Sequence, residues 1–206
     1  MPNNYAHSAR DTLRTALIET RHRVFSGFLN VDEARVRHTR HDGSTQTVVR
    51  LSVERGDSAA IALVDRRRRV IYLSEQFRFP TLESGPGWLR ELPAGEVERG
   101  ETMVQAAIRE TFEETGFTVN DLEPIAQCYL SPGGSSERMA LFYAVVDGLE
   151  PDAAGAAAAQ DPHEDIALLE TPLDDFLSDC REGRMLDAKT LLAGLWLLAH
   201  RERLGL

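Results

Sequence analysis

The stretch GEVERGETMVQAAIRETFEETGF runs from Gly95 to Phe117 and crowds several glutamates around one arginine. These charged residues are Glu101, Arg109, Glu110, Glu113 and Glu114. Like charges at helical spacing repel one another, so the arrangement is costly unless a cation or a partner offsets it. The stretch therefore indicates either a bound cation or an acidic helix whose carboxylates pair with Arg109 and water.

Local signals predict a helix over about residues 102–115, with Thr102 or Glu101 as its N-cap and Gly116 as its stop. Residues three and four apart are neighbours on a helix, so the last three glutamates share one face. Residues that continue this acidic stripe are Met103, Ala106 and Ala107. Residues predicted to form an opposite, buried stripe are Val104, Ile108 and Thr111. The glycine-containing turn before the helix can direct a backbone carbonyl towards the acidic face.

The composition fits one sizeable soluble domain, or one domain with a small appendage. The chain has 206 residues, of which 42% are hydrophobic and 27% charged. No apolar run reaches the ~18 residues of a membrane span, and the first residues lack the apolar core of a signal peptide. The two cysteines, Cys128 and Cys180, suggest neither a disulfide framework nor a zinc site. We therefore expect a cytoplasmic protein without a membrane partner.

The net charge of −10 disfavours nucleic acid as a partner, because nucleic-acid binders usually carry a basic patch. One basic run, DRRRRV from Asp65 to Val70, lies between two apolar runs. Such a context favours a solvated hairpin turn over a nucleic-acid or localisation patch.

The order of predicted elements indicates an α/β sheet packed between helices. A short helix is predicted over residues 8–20, extended chain with a turn at HDGS over 27–53, and a hairpin of two core strands from residue 58. Two further strands surround the loop SPGG, and two helices end the chain. The alanine-rich segment 148–165 is predicted to be a mobile loop. We divide the chain into an N-terminal helix and β-rich part, residues 1–57, and a main domain, residues 58–206.

The spacing of the opening stretch resembles the signature of the Nudix hydrolases. Gly95 is followed by five residues, Glu101, seven residues, and then Arg109-Glu110-x-x-Glu113-Glu114-x-Gly116. One departure is Thr111, where the family usually has an aliphatic residue. The resemblance implies an α/β/α sandwich and a metal-dependent hydrolase.

Hard divalent cations such as Mg2+ and Mn2+ prefer oxygen ligands, which a cluster of carboxylates and a carbonyl can supply. By resemblance, one to three ions would be held by Glu110, Glu114 and the carbonyl of Ala94. They would neutralise a diphosphate and lower the pKa of a bound water. Glu113 would support the ligands or act on the water. Glu101 would pair with Arg109 and brace the turn against the helix.

The segments SPGGSSER (Ser131–Arg138), ELPAG and GFLNVDEARVRHTRHDG resemble the ADP-ribose pyrophosphatase branch of this family. This resemblance implies hydrolysis of ADP-ribose, or of a related nucleoside diphosphate sugar, to AMP and ribose 5-phosphate. It also implies that residues 1–57 form a dimerisation part and that a homodimer completes the site. Residues carried over as substrate-binding are Phe28, Arg50, Arg55, Arg78, Ser131, Gly133 and Glu137.

The general base is the point at which the sequence departs from the branch. The acidic residue expected in the loop is replaced by Pro162, which cannot act as a base. Glu164 is therefore predicted to be a metal ligand or the base, with Asp161 as a substitute. His163 is interpreted as a solvated loop residue.

Two alternatives remain open. GDP-mannose pyrophosphatases share QFRF, SPGG and an element resembling DAKT (Asp187–Thr190), but not usually the glutamate-arginine pair of SSER. A Nudix-fold sensor would bind a nucleotide sugar without cleaving it. The complete set of metal carboxylates favours an enzyme over the sensor.

Overall fold

The structure is a computed structural model that describes residues 14–159 and 165–206. Contacts among these residues divide the chain into two units. The first comprises the described residues up to Arg55 together with Ser131–Glu137, and the second comprises Gly56–Leu130 and Arg138–Leu206. The predicted domain division after residue 57 stays a prediction, since these units are defined by contacts alone.

The first unit is built on an antiparallel sheet of strands β1 (Ala16–Ser26), β2 (Asn30–Thr39) and β3 (Thr45–Glu54). This confirms the extended chain predicted over residues 27–53. The turn predicted at HDGS is present, since the Arg40 amide donates to the Ser44 carbonyl at 2.8 Å. Gly43 lies in this turn with φ of 84°, a left-handed conformation that glycine adopts without strain.

The helix predicted over residues 8–20 is wrong in its described part, because Ala16–Thr20 belongs to β1. Strand β1 pairs with β2 along its length, from Ala16 opposite His38 to Ser26 opposite Asn30. Cross-strand pairing supplies the hydrogen bonds that an isolated helix would have supplied, so the tertiary partner overrides local propensity. Residues 8–13 lie outside the described part of the chain.

The second unit contains a mixed sheet. Its strands are β4 (Ser58–Asp65), β5 (Val70–Phe77), β6 (Trp88–Glu91), β7 (Ala94–Glu96), β8 (Glu123–Tyr129), β9 (Arg138–Val145) and β10 (Ile166–Pro172). The strand order is β10-β5-β4-β9-β8, with β6 on β5 and β7 on β4. Only β4 and β9 pair in parallel among the described strands.

Helices cover both faces of this sheet. They are α1 (Met103–Thr115), α2 (Ala153–Ala159), α3 (Leu173–Arg181), α4 (Ala188–Ala199) and α5 (Arg201–Leu204). Strand β4 is buried along its whole length. Its residues alternate between a core that contains Ala106 of α1 and a core that contains Leu177 of α3 and Leu197 of α4. A central strand buried on both faces is typical of a sheet between helix layers, so the predicted α/β/α sandwich is confirmed.

The basic run between β4 and β5 forms the predicted hairpin turn, and three of its four arginines are ion-paired. Arg66 pairs with Asp147, Arg68 with Glu170, and Arg69 with Asp174. The run therefore balances the surrounding carboxylates of the second unit. No helix in the described ranges is long and apolar enough to cross a membrane.

The loop predicted over residues 148–165 is partly wrong, because residues 153–159 form α2. Alanine has the highest helix propensity, and Asp152 caps the helix by accepting from the Gly155 amide at 2.9 Å. Residues 160–164 lie outside the described part of the chain.

The cap of α1 supplies a prediction about stability. Thr102 accepts from the Gln105 amide at 3.2 Å while the Gln105 side chain accepts from the Thr102 amide at 2.9 Å. Thr102→Ala should lower the free energy of unfolding in urea by about 1 kcal/mol, because an amide of the first turn loses its partner. Thr102→Ser keeps the hydroxyl and should cost much less; equal losses for the two variants would contradict the cap.

Candidate metal and substrate site

The acidic face of α1 is also its packed face. The buried residues of α1 are Ala106, Ala107, Thr111 and Thr115. Glu110 lies four residues after Ala106, and Glu114 lies four residues after Glu110. The two glutamates therefore continue this buried face along the helix axis. Val104, by contrast, is 44% exposed, and the buried stripe predicted to include it is wrong at that position. The carboxylates of Glu110 and Glu114 therefore point towards β7 and not into bulk solvent.

Glu110 packs directly on the backbone of Gly95. A Cβ atom at residue 95 would lie 1.8 Å from Glu110 Oε1, so the carboxylate would have to move away to admit it. The neighbouring Ala94 amide, in β7, donates to Glu114 Oε1 at 3.1 Å. Ala94 and Gly95 of β7 and the carboxylates of Glu110 and Glu114 thus meet at one place. This contact explains why the motif begins with a glycine.

Arg109 connects this face to the preceding turn. Its Nε and Nη2 atoms donate to the two Glu101 oxygens at 3.0 and 3.1 Å, and Nη2 also donates to the Glu96 carbonyl at 2.9 Å. The predicted ion pair between Glu101 and Arg109 is therefore present. The Nη1 atom donates to Glu110 at 2.6 Å and to Glu113 at 3.0 Å.

The charges of this group stabilise one another. The hydrogen bond to Glu101, followed by those to the other glutamates, raises the pKa of Arg109 despite its partial burial. The hydrogen bond from Arg109 in turn lowers the pKa of Glu101. Both groups are therefore firmly ionised, and the turn and the helix are held together by charge-assisted hydrogen bonds.

Within residues 14–159 and 165–206, no group of three or more histidine, cysteine, aspartate or glutamate side chains is arranged to hold a metal ion. Glu110 and Glu113 both form ion pairs with Arg109. The donor set still fits a hard divalent cation, because Glu110 and Glu114 supply carboxylate oxygens beside the backbone of Ala94, where Gly95 allows close approach. Glu110, Glu114 and Ala94 thus remain the predicted ligands.

Arg78 lies at the end of β5 in the same unit, and Glu114 is among the charges that act on it. Its guanidinium forms two hydrogen bonds with Glu91, Nε to Oε1 at 2.7 Å and Nη2 to Oε2 at 3.1 Å. Burial alone would lower the pKa of Arg78, but the hydrogen bond and the charge of Glu91 outweigh it and raise the pKa. Arg78 is thus a fixed cation near the acidic face.

The remaining substrate-binding candidates belong to the first unit. Phe28 lies in the turn between β1 and β2 and is 93% exposed, which excludes a core role within this chain. Arg50, on β3, is exposed and donates to the Val49 carbonyl, and Arg55 is exposed just after β3. The loop residues Ser131, Gly133 and Glu137 follow β8 in sequence, and the Ser131 carbonyl accepts from the Ser135 amide at 2.9 Å.

The candidates for the general base are not described. Glu164, Asp161, Pro162 and His163 all lie outside the described residues. The assignment of Glu164 as metal ligand or base stays a prediction.

Sequence reasoning missed Glu91 and Lys189 as members of this region. Glu91 is only 3% exposed, and Lys189 is 6% exposed and donates to it. The sequence carries part of the signal, because Lys189 belongs to the motif DAKT and Glu91 to the motif ELPAG. The contact between the two residues could not be predicted from either segment, because 98 positions separate them in the sequence.

Comparison with known proteins decides the family. The family model for the NUDIX domain matches residues 54–188. The chain belongs to the Nudix family.

Curated relatives come from two kinds of Nudix enzyme. An ADP-ribose pyrophosphatase of Escherichia coli (strain K12) is 32% identical over 189 residues, which cover 91% of this chain and 90% of that protein. A GDP-mannose pyrophosphatase of Pectobacterium atrosepticum is 35% identical over 164 residues, which cover 78% of this chain and 80% of that protein. The predicted resemblance to the Nudix hydrolases is thus confirmed, and the chain is a Nudix hydrolase by family.

A solved structure described as an ADP compounds hydrolase shares the fold. It aligns with a TM-score of 0.61 at 20% identity and covers 90% of this chain and 95% of that one. At this sequence identity the similarity supports the Nudix fold alone.

The contact between Gly95 and Glu110 predicts that a larger residue at position 95 weakens metal binding. Gly95→Ala should weaken Mn2+ binding at least about tenfold, because the added methyl group displaces the Glu110 carboxylate. Isothermal titration with Mn2+ measures the effect. Gly134→Ala is the matched control, since a Cβ there meets nothing within 4 Å. Wild-type affinity in Gly95→Ala would contradict the predicted ligands.

Proposed function

We propose that this protein hydrolyses the diphosphate of ADP-ribose, or of a related nucleoside diphosphate sugar, to AMP and ribose 5-phosphate. The observation that carries the proposal is the meeting of Glu110 and Glu114 with the backbone of Ala94 and Gly95, close to the cation of Arg78. Oxygen donors beside a fixed arginine suit a substrate that carries two phosphates. The ADP-ribose pyrophosphatase relative, aligned over nine-tenths of this chain, supports the choice of substrate.

The proposed cofactor is Mg2+, with Mn2+ as a substitute, in one to three ions. Glu110, Glu114, the Ala94 carbonyl and Glu164 would hold them. When bound, such ions neutralise phosphate charge and make water a better nucleophile at neutral pH.

The side chains of the protein would carry out the positioning. Arg78 would bind a phosphate or the terminal ribose, and the five N–H groups of a guanidinium suit phosphate oxygens. Arg109 orients Glu113, which would support the ligands or orient the attacking water. Glu164 is the proposed general base. Phosphoryl transfer depends mostly on placement and charge stabilisation, which this arrangement supplies.

A homodimer is part of the proposal. The sheet of the first unit exposes large apolar side chains that a single chain would leave in water. They are Leu17, Ile18, Val24, Phe25, Phe28, Val49 and Leu51, each at least half exposed. Burying such a surface against a second copy is favourable in proportion to its apolar area. In the dimer, Phe28 would stack on the nucleotide, Arg50 and Arg55 would supply charge, and Ser131, Gly133 and Glu137 would contact the sugar.

GDP-mannose is the second candidate substrate, favoured by a specific observation. The DAKT element is an ordered part of the second unit, where Asp187 caps α4 and Lys189 reaches Glu91. The GDP-mannose pyrophosphatase relative also supports this choice. The same fold and cofactor would serve both reactions.

The proposed setting is the cytoplasm, without nucleic acid or membrane as partner. Cys128 and Cys180 are free thiols, as a reducing compartment favours. Three of the four arginines of the hairpin turn are ion-paired with carboxylates, which disfavours this run as a patch for a polyanion.

A substrate panel tests the function directly. The protein should be incubated with Mg2+ and ADP-ribose, GDP-mannose or a diadenosine polyphosphate, and the products separated by chromatography. We expect the highest kcat/KM for ADP-ribose, with AMP and ribose 5-phosphate as products. A preference for GDP-mannose would favour the second candidate. Saturable binding of these compounds without any hydrolysis would identify a sensor and overturn the proposal.

Glu114→Gln tests the role of the acidic face. The change keeps size and a hydrogen-bond acceptor for the Ala94 amide but removes the charge of a proposed metal ligand. Turnover at saturating Mg2+ should fall by about two orders of magnitude or more, while the folded state is kept. Glu98→Gln, the same change at an exposed position, is the control. Unchanged turnover in Glu114→Gln would refute the metal site.

The dimer is tested on β3, where Val49 and Leu51 lie two residues apart and so share one face of the sheet. The double variant Val49→Lys with Leu51→Lys should sediment as a single chain, whereas the wild-type protein should sediment as two. The control variant Val49→Thr with Leu51→Thr keeps strand propensity without adding charge. A wild-type protein that sediments as one chain at micromolar concentration would contradict the dimer.

A further inference from the structure

A buried ionic group lies behind Arg78 in the second unit. Glu91 of β6 and Lys189 of α4 are 3% and 6% exposed. The ammonium group of Lys189 donates to Glu91 Oε2 and lies 3.1 Å from Asp187 Oδ1. Charges removed from water in this way are costly unless they are paired and hydrogen-bonded, so the group requires an explanation.

The backbone around this group is fixed on both sides. Asp187 caps α4 by accepting from the Thr190 amide at 2.9 Å, and it also accepts from the Thr190 hydroxyl at 2.6 Å. The Thr190 hydroxyl oxygen accepts from the Leu92 amide at 2.9 Å. The start of α4 is therefore tied to the residue that follows Glu91, and Lys189 and Glu91 are held at a constant separation.

Glu91, held by Lys189, in turn fixes the side chain of Arg78. Both of its oxygens bind the guanidinium, through Nε and Nη2, and a two-point contact of this kind fixes the plane of the group. Burial by itself would raise the pKa of Glu91 most strongly, but the hydrogen bonds and charges of Arg78 and Lys189 lower it. Glu91 thus remains an anion between two cations.

Of the two cations that bind Glu91, Lys189 is buried and Arg78 is accessible to solvent. The side chain of Lys189 is 7% exposed, whereas that of Arg78 is 39% exposed. The group is balanced in charge, with Glu91 and Asp187 as anions and Lys189 and Arg78 as cations, and only one of the two cations reaches solvent. The second, solvent-facing cation is the one near Glu114.

We propose that Glu91 and Lys189 are positioning residues, in which Lys189 holds Glu91 from inside the protein and Glu91 holds Arg78 ready for a substrate phosphate. The phosphate part of this inference rests on the proposed function, whereas the positioning of Arg78 does not. Within the part of the chain that the structure describes, Glu91 takes up the Nε–H and one N–H of Nη2, which leaves the two N–H groups of Nη1 and the second of Nη2 for a phosphate. Lys189 itself need not touch the substrate.

The first test needs no substitution and no activity. Hydrogen exchange of the arginine Nε–H groups, followed by 15N NMR, should show Arg78 exchanging at least about tenfold more slowly than the exposed Arg50. Equal exchange rates in the wild-type protein would overturn the positioning of Arg78, whatever the protein hydrolyses.

The second test is a double-mutant cycle between Lys189→Met and Arg78→Met. Lys189→Met keeps the length of the side chain and removes its charge. It should speed the exchange of the Arg78 Nε–H and lower kcat/KM for ADP-ribose about tenfold, but have little further effect on kcat/KM when Arg78 is already Met. Effects of the two changes that multiply independently would overturn the proposal, because they would indicate a separate role for Lys189.

Asp147→Asn is the matched control. It breaks another ion pair of the same unit, between Arg66 and Asp147, which is not part of the group around Arg78. It should lower stability without changing the exchange of Arg78. A wild-type protein that hydrolyses neither ADP-ribose nor GDP-mannose would refute the proposed function alone, since the exchange of Arg78 in Lys189→Met still decides the positioning.

Discussion

The guanidinium of Arg109 is the interaction on which the rest of the site depends. It binds both oxygens of Glu101 in the turn, the Glu96 carbonyl, and the carboxylates of Glu110 and Glu113 on the helix. Without such a cation, adjacent carboxylates on one face would repel, and the residues between β7 and α1 would lose their charge-assisted hydrogen bonds to the helix. Arg109 therefore lets the protein keep a high density of negative charge on a packed helix face.

Small residues provide the space for this charge. Gly95 admits the Glu110 carboxylate to the backbone, and Ala106 and Ala107 let α1 lie close to the sheet. Lys189, which also pairs with Asp187, stabilises Glu91 of β6, and Glu91 holds Arg78. The second unit thus orders an anionic face and a neighbouring cation by separate groups of ion pairs. Metal ions and a diphosphate are complementary to these two surfaces.

Features governed by local sequence were predictable, and features governed by distant partners were not. The bounds of α1, its Thr102 cap and the pairing of Glu101 with Arg109 follow from spacing along one helix. The strand at Ala16–Thr20 could not be predicted, because its hydrogen bonds come from β2. The contact of Lys189 with Glu91 was also out of reach, since the fold alone brings these residues together. The exposure of Val104 shows that helical spacing groups residues on one face, but that the position of the neighbouring sheet decides which face is buried.

The measurement that tests the central claim most directly is a crystal structure with Mn2+ and a non-hydrolysable ADP-ribose analogue, using the anomalous signal of the metal. The account predicts anomalous peaks within coordination distance of Glu110, Glu114 and the Ala94 carbonyl, with the diphosphate between the metal and Arg78. It also predicts that Glu101 remains bound to Arg109. Metal bound elsewhere, with Glu110 still paired to Arg109 and the diphosphate away from Arg78, would contradict the account.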